Sequence, residues 1–271
     1  MGGNGQYEDK DPKFRADSGF MPRVDVRSLD ATVDRRFWGK KGDWHQLITV
    51  GFVGNKVENH NGDATDQHLE ANASFFGSRQ SQLQLKVQNI EELYAGVNYE
   101  QDRISLFGEI KLSGDLVFNF ITRDGDAIDY NNGRPGEQFL LNPGVQWRVG
   151  RHFNSTFDYL IQNLDVEGGE LFNAQLFQTQ LVYQFNARSF IRGIFQYQEI
   201  TRDPDLYFYS VDEKSQTLFT QLLFSYKINP RTVLFAGYTD NRAGYEFDRT
   251  RVDLTQLDRT FFLKVGYAFL R

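Results

Sequence analysis

Four histidines, His45, His60, His68 and His152, are the side chains best suited to metal binding or to proton transfer near neutral pH. They fall in separate predicted strands or turns, and no two have the short spacing of ligands that share one metal. Asp124-Gly125-Asp126-Ala127-Ile128-Asp129 carries carboxylates at a spacing that suits a hard cation in an extracellular loop. It lacks the twelve-residue calcium pattern, so a solvated loop is the first reading and a cation site at Asp124, Asp126 and Asp129 the second. Cysteine is absent, which removes disulfides, thiolate zinc sites and cysteine nucleophiles together. Gly2-Gly3-Asn4-Gly5 precedes no strand-and-helix unit of the phosphate-binding kind. No catalytic residue, metal or cofactor is expected, and the chain reads as a non-enzyme. An enzyme would need a Ser, a His and an acid, or an Asp and His grouping, at the extracellular rim, and only His60 and His68 fall near that side.

The remaining charges with a pattern are those that alternate with apolar residues. Glu70, Lys86, Glu109, Lys111, Arg148, Asp158, Arg192 and Lys264 all occupy the polar parity of alternating segments. On a wet inner surface, opposed charges create a transverse field that selects among polar solutes. Paired with one another, they would instead fill and stabilise a narrow lumen.

The segments that position these residues read as β-strands. Phe261, Leu263, Val265, Tyr267 and Phe269 share one parity, and Phe262, Lys264, Gly266 and Ala268 the other. Leu218 to Ile228, Phe177 to Phe185, Phe153 to Ile161 and Phe139 to Val149 alternate in the same way, and weaker versions recur upstream to Leu29. Thirteen strands are visible, with no competing helical period. Short connections, such as Asn186 to Arg188 and Asn229 to Arg231, alternate with longer polar ones, such as Glu92 to Asp102, Asp126 to Gly136, Glu167 to Glu170 and Arg202 to Glu213. That alternation is the habit of outer-membrane barrels, whose short side is periplasmic. Trp147, Tyr183, Tyr197, Tyr226, Tyr267 and Phe269 near strand ends suit the membrane interface, where an amphipathic ring sits between lipid and water.

The composition is compatible with this. The 271 residues include 25 Phe and 13 Tyr, 40% hydrophobic and 24% charged residues, with a net charge of −6. No apolar run approaches the ~18 residues that a membrane helix needs, but alternating strands escape that test because their hydropathy averages out. The acidic balance, with no basic stripe interleaved with aromatics, argues against nucleic-acid binding. Met1 to Asp11 contains no signal-peptide-like apolar stretch. Residues 1–20 read as a polar N-terminal segment or extracellular loop, and 21–271 as an outer-membrane β-barrel region. A closed bacterial barrel has an even strand count. Either residues before Phe20 supply a fourteenth strand or the chain is the C-terminal part of a larger barrel, and the polar, unpatterned start favours the second.

Two stretches resemble an uncharacterised bacterial envelope family in which a carbohydrate-binding family 9-like module precedes a long outer-membrane barrel. Asp11-Pro12-Lys13-Phe14-Arg15-Ala16-Asp17-Ser18-Gly19-Phe20-Met21-Pro22-Arg23 is similar to a loop partway through that barrel. Lys227 to Tyr238 and Leu257 to Tyr267 look like its closing hairpin. The resemblance implies that the sugar-binding module lies outside this chain and brings no catalytic residues. Arg271 departs from the aromatic last residue usual for recognition by the barrel-assembly machinery.

The expectation is thus an all-β, antiparallel up-and-down transmembrane β-barrel in the outer membrane of a Gram-negative bacterium. Its partners would be outer-membrane lipid, the assembly machinery and small polar solutes or saccharides passing through a passive channel. The alternatives are a non-conducting structural barrel whose loops bind partners or polysaccharide, and, less favoured, a barrel-embedded enzyme.

Overall fold

The computed structural model describes residues 1–15, 23–246 and 253–268. Fourteen antiparallel strands follow one another in a single up-and-down sheet, each hydrogen-bonded to its neighbours in sequence. They are β1 (Gly2–Lys10), β2 (Val26–Trp38), β3 (His45–Glu58), β4 (Ala64–Gly77), β5 (Gln82–Tyr94), β6 (Val97–Lys111), β7 (Leu116–Asp129), β8 (Arg134–Val149), β9 (Phe153–Val166), β10 (Gly169–Asn186), β11 (Ser189–Arg202), β12 (Lys214–Asn229), β13 (Thr232–Glu246) and β14 (Thr255–Tyr267). The fold is all-β, and β1 and β14 are the outermost strands of the order. The strands cluster into two compact units, Met1–Gly108 with Thr122–Gln138, and Glu109–Ile121 with Phe139–Arg271.

Thirteen of the strands are those expected from alternation. The fourteenth, β1, comes from the polar start, where no side-chain pattern announces it. Its residues pair one for one with β2, from Gly2 opposite Asp34 to Lys10 opposite Val26, so the backbone ladder alone makes the strand. Residues before Phe20 therefore supply a fourteenth strand.

Register sorts the side chains into two faces. In the first unit, Val33, Phe52, Ala71 and Val87 lie in one cross-strand row, and Phe37, Ile48, Phe75 and Leu83 in another. In the second unit, Leu181, Gly193, Leu222, Tyr238 and Phe261 form a row, followed by Tyr183, Ile191, Phe224, Ala236 and Leu263. The opposite face of that unit carries the row Asp158, Gln178, Gln196, Phe219, Asn241 and Asp258. Apolar side chains on the first face stay uncovered, including Phe52 at 68%, Phe261 at 75% and Leu263 at 66% exposure. A soluble sheet would bury such a continuous surface against a second layer.

The expected alternation of short and long links is only partly present. Ala95-Gly96 joins β5 to β6 and Glu167-Gly168 joins β9 to β10, in place of the longer loops Glu92 to Asp102 and Glu167 to Glu170. Ala95 and Gly96 both take positive φ, 51° and 82°, as a two-residue hairpin turn of the primed kind requires. Polar residues read as loop instead extend the ladder, because backbone pairing needs no apolar side chain. The long connections that remain within the described residues are 11–25, part of which is described, and 203–213, which holds a short 3₁₀ turn at Pro204–Leu206.

Gly237 and Phe262 are opposite one another in the closing hairpin, and the Phe262 ring lies over the glycine. A Cβ built on Gly237 would fall 2.1 Å from that ring. Gly237→Ala is expected to destabilise the hairpin by about 1–3 kcal/mol through overpacking, with Phe262→Ala in the same chain removing most of the clash. Urea unfolding of the detergent-folded single and double variants measures both, and an unchanged midpoint for the single variant would refute the contact.

Candidate functional site

The polar face gathers several of the residues singled out in the sequence. On β4 and β5, Glu70 is 7% exposed and accepts from Lys86 Nζ at 3.2 Å, Gln88 Nε2 at 3.0 Å and Asn72 Nδ2 at 3.1 Å. Asn72 and Lys86 are direct cross-strand partners, as are Glu70 and Gln88, so register alone places four of these side chains on one patch. A carboxylate this buried needs its cation and amide donors, and it has them.

In the second unit, Lys111 and Arg148 line a cleft of about 210 Å³ with Asp115, Gln146 and Asn154. Arg148 Nε donates to Asn154 Oδ1 at 3.2 Å. Asp158 sits beside Gly144, where a Cβ would lie 2.6 Å from Asn119 Oδ1 and 2.8 Å from Asp158 Oδ1. The missing side chain lets two oxygen-bearing groups approach across β8. Arg192 Nη2 donates to Gln221 Oε1 at 3.1 Å. Lys264 lies opposite Phe235 and remains exposed. Glu109 shares the parity of Lys111 on β6. These residues share a face without forming one centre.

The aromatic residues fall at two levels. Trp147, Tyr183, Tyr226 and Tyr267 stand on the apolar face near the ends of β8, β10, β12 and β14, and all are exposed. Tyr197 stands towards the other end of β11, where its hydroxyl donates to Glu199 at 2.8 Å. Phe269 lies outside the described residues. Two further tyrosines of this face, not singled out in the sequence, do the same: Tyr159 donates to Gln175 at 2.8 Å and Tyr238 to Asp240 at 3.0 Å. Beyond them come ion pairs, with Lys214 at 2.8 Å from Glu199 and both Arg242 and Arg259 on Asp240 at 2.7 and 2.8 Å. Leu218, the cross-strand partner of Tyr197, and Tyr226 bound β12 at the two levels. Their spacing is roughly 26 Å along the strand, of the same order as the ~25 Å apolar band of an outer-membrane barrel.

The acidic segment differs from expectation. Asp124, Asp126 and Asp129 belong to β7, not to a loop. Asp126 accepts from the backbone N–H of Asp102 at 2.8 Å, and Asp129 pairs with Arg134 at 3.0 Å. Among the described residues, no group of three His, Cys, Asp or Glu side chains is placed to hold a metal ion.

His60 lies between two carboxylates brought from distant segments. Its Nδ1 is 2.7 Å from Asp25 and its Nε2 2.9 Å from Asp9. Only a doubly protonated ring can donate to both acids at once. The contact ties β1 to the residues before β2 and after β3. Asp25 holds an αL backbone, φ 61°, and the backbone N–H of His60, 2.9 Å away, is the main influence lowering its carboxyl pKa below the usual range.

No protein-family profile and no curated protein matches the chain. Similar solved structures exist. Outer-membrane-expressed OmpT of Vibrio cholerae is 11% identical, with 89% of this chain and 88% of that chain covered and a TM-score of 0.41. The trimer form of in-vitro folded OmpT of the same organism is 13% identical over 98% and 95%, also at 0.41. The NanC porin is 11% identical over 89% and 99%, at 0.33. Likeness at this level carries no argument about ligand or activity. Nothing in these comparisons shows the carbohydrate-binding-module family suggested by the two sequence stretches. The expectation that the chain is a non-enzyme is withdrawn, because His60 lies within hydrogen-bond distance of Asp25 and Asp9, the kind of Asp and His grouping that an enzyme would need.

A group whose carboxyl pKa is lowered by folding contributes stability above its unfolded value and loses it as pH falls through the folded value. The Asp25 contact is therefore expected to be intact at pH 6 and to fail below the ordinary value of 3.8. Asp25→Asn should raise amide exchange in Gly2–Lys10 at pH 6. After correction for intrinsic rates, the native chain should approach that level in acid, and equal protection of the two chains at pH 6 would count against the tie.

Proposed function

We propose that the chain is an outer-membrane β-barrel wall whose polar face lines a passage for small polar solutes. The observation that carries this reading is the uncovered apolar face, bounded at two levels by tyrosine and tryptophan and backed by a face of Gln, Asn and paired charges. In hydrocarbon every backbone group must be paired, which an antiparallel ladder achieves with strands alone. No helix of the described residues is long and apolar enough to cross a membrane, and in this reading the strands do the crossing. The short turns after β10 and β12 would face the periplasm, and segment 203–213 the exterior, by the usual orientation of such barrels. The passage would take polar solutes, saccharides among them, because its walls offer amides and opposed charges in place of apolar surface.

A non-conducting barrel is the second reading. It is favoured by the Glu70, Lys86 and Gln88 cluster, in which side chains of the polar face satisfy one another and bury a carboxylate.

Planar-bilayer recordings of the detergent-folded chain separate the two. Discrete conductance steps are the expected result, and silence from protein that shows heat-modifiable folding on a gel would overturn the passage in favour of the filled barrel. The membrane-facing assignment has its own test in β12. Leu222→Arg, on the apolar face, is expected to cost about 2–4 kcal/mol of folding stability in lipid, and the adjacent Gln221→Arg, on the polar face, far less. Equal costs would contradict the assignment of faces.

A further inference from the structure

The described residues contain one place where buried donors converge without an acceptor. Gln101, on β6, is 1% exposed, and its Nε2 has no hydrogen-bond partner. Its Oε1 is occupied, because Arg103 Nη2 donates to it, while Arg103 Nε donates to the backbone oxygen of Asp126 at 2.7 Å. Arg123, on β7, is near enough for its charge to act on that of Arg103, and its buried Nε is also unpartnered. Ser105 follows on the same parity of β6 with a buried Oγ that makes no hydrogen bond. Gln101, Arg103 and Ser105 thus share one side of β6, with Arg123 on the adjacent strand β7.

Such a grouping is unfavourable on its own terms. Two like charges repel at short range, and a buried N–H without an acceptor costs about 1–3 kcal/mol. Glu92 and Asp126 act on Arg103 through their charge, but neither accepts a hydrogen bond from Gln101 Nε2, Arg123 Nε or Ser105 Oγ. Glu92 accepts from the Tyr130 hydroxyl at 3.0 and 3.2 Å, and burial, then Glu92 itself, raises the phenol pKa of Tyr130, which keeps that hydroxyl a donor. Asp126 accepts from the backbone of Asp102 at 2.8 Å, and Asp129 is held by Arg134. Elsewhere on the polar face cations are matched to acids or amides, as Lys86 is to Glu70 and Arg148 to Asn154. A multi-oxygen anion supplies what is missing here. Its oxygens accept from planar guanidinium forks, and its charge offsets the repulsion between Arg103 and Arg123.

We propose that Gln101, Arg103, Ser105 and Arg123 form a binding site for an oxyanion, the carboxylate or phosphate group of a small polar solute. This deepens the passage reading, since it names acidic solutes as the class that the polar face detains. It rests on that reading only for the route by which the solute arrives.

The test is isothermal titration calorimetry on the detergent-folded full chain with three probes: glucuronate, its neutral counterpart glucose, and inorganic phosphate. Saturable binding of glucuronate that weakens as salt is raised, with no binding of glucose, is the expected result. Arg123→Gln should weaken it about tenfold or more, Arg123→Lys less, and Arg188→Gln, in the turn after β10, should leave it unchanged. Binding of phosphate without glucuronate would assign the site to phosphorylated solutes and still support it. Equal binding of glucose, no loss in Arg123→Gln, or no binding of either anion to protein that is heat-modifiable on a gel would overturn the proposal. Because calorimetry needs no conductance, a chain that binds glucuronate but passes no current would fail as a passage while keeping the site. A conducting chain that binds neither anion would do the reverse.

Discussion

Backbone pairing along one antiparallel ladder is the constraint on which the other features depend. A strand surrounded by hydrocarbon has no water to satisfy its N–H and C=O groups, so each must be met by the next strand. Once the ladder is set, the pleat sends successive side chains to opposite faces, and a slip of one residue would exchange the faces completely. The rows through Leu181, Gly193, Leu222, Tyr238 and Phe261, and through Asp158, Gln178, Gln196, Phe219, Asn241 and Asp258, show the ladder held in one register across five and six strands. A polar face and an apolar face are then two consequences of one pairing scheme.

The margins of the apolar face follow from the same logic. Tyr159, Tyr197 and Tyr238 keep their rings with the apolar residues and hand their hydroxyls to polar side chains just beyond. Past them the same face carries Glu199 with Lys214, and Asp240 with Arg242 and Arg259. In the proposed membrane setting, charges at that level would meet water and headgroups, whereas two residues deeper they would meet acyl chains at a cost of several kcal/mol. Gln101, Arg103 and Ser105 fall on the opposite parity of β6 from Ile104 and Leu106.

Much of this was legible before any coordinates. Strands β2 to β14 announce themselves through apolar alternation, and the common face of Glu70 and Lys86 follows from parity, whereas their ion pair depends on register. Strand β1 does not, because Gly2, Gly3 and Gly5 carry no pattern and the strand exists through its pairing with β2. The turn at Ala95-Gly96 was hidden by polar neighbours that resemble a loop. Sequence spacing also could not bring Asp9, Asp25 and His60 together, since that contact depends on three segments meeting. Arg103 and Arg123 were missed for a related reason. Each sits in a run of charged residues, and only the adjacency of β6 and β7 brings one within charge range of the other.

The absence of cysteine permits a direct measurement of the central claim, that one face of this sheet meets lipid and the other water. Single cysteines from Leu218 to Tyr226 on β12, each carrying a fluorophore, can be read for quenching by brominated acyl chains in the folded protein. Alternation is predicted, with strong quenching at Leu218, Thr220, Leu222, Phe224 and Tyr226 and little at Phe219, Gln221, Leu223 and Ser225. Uniform quenching, or none at any position, would contradict the account.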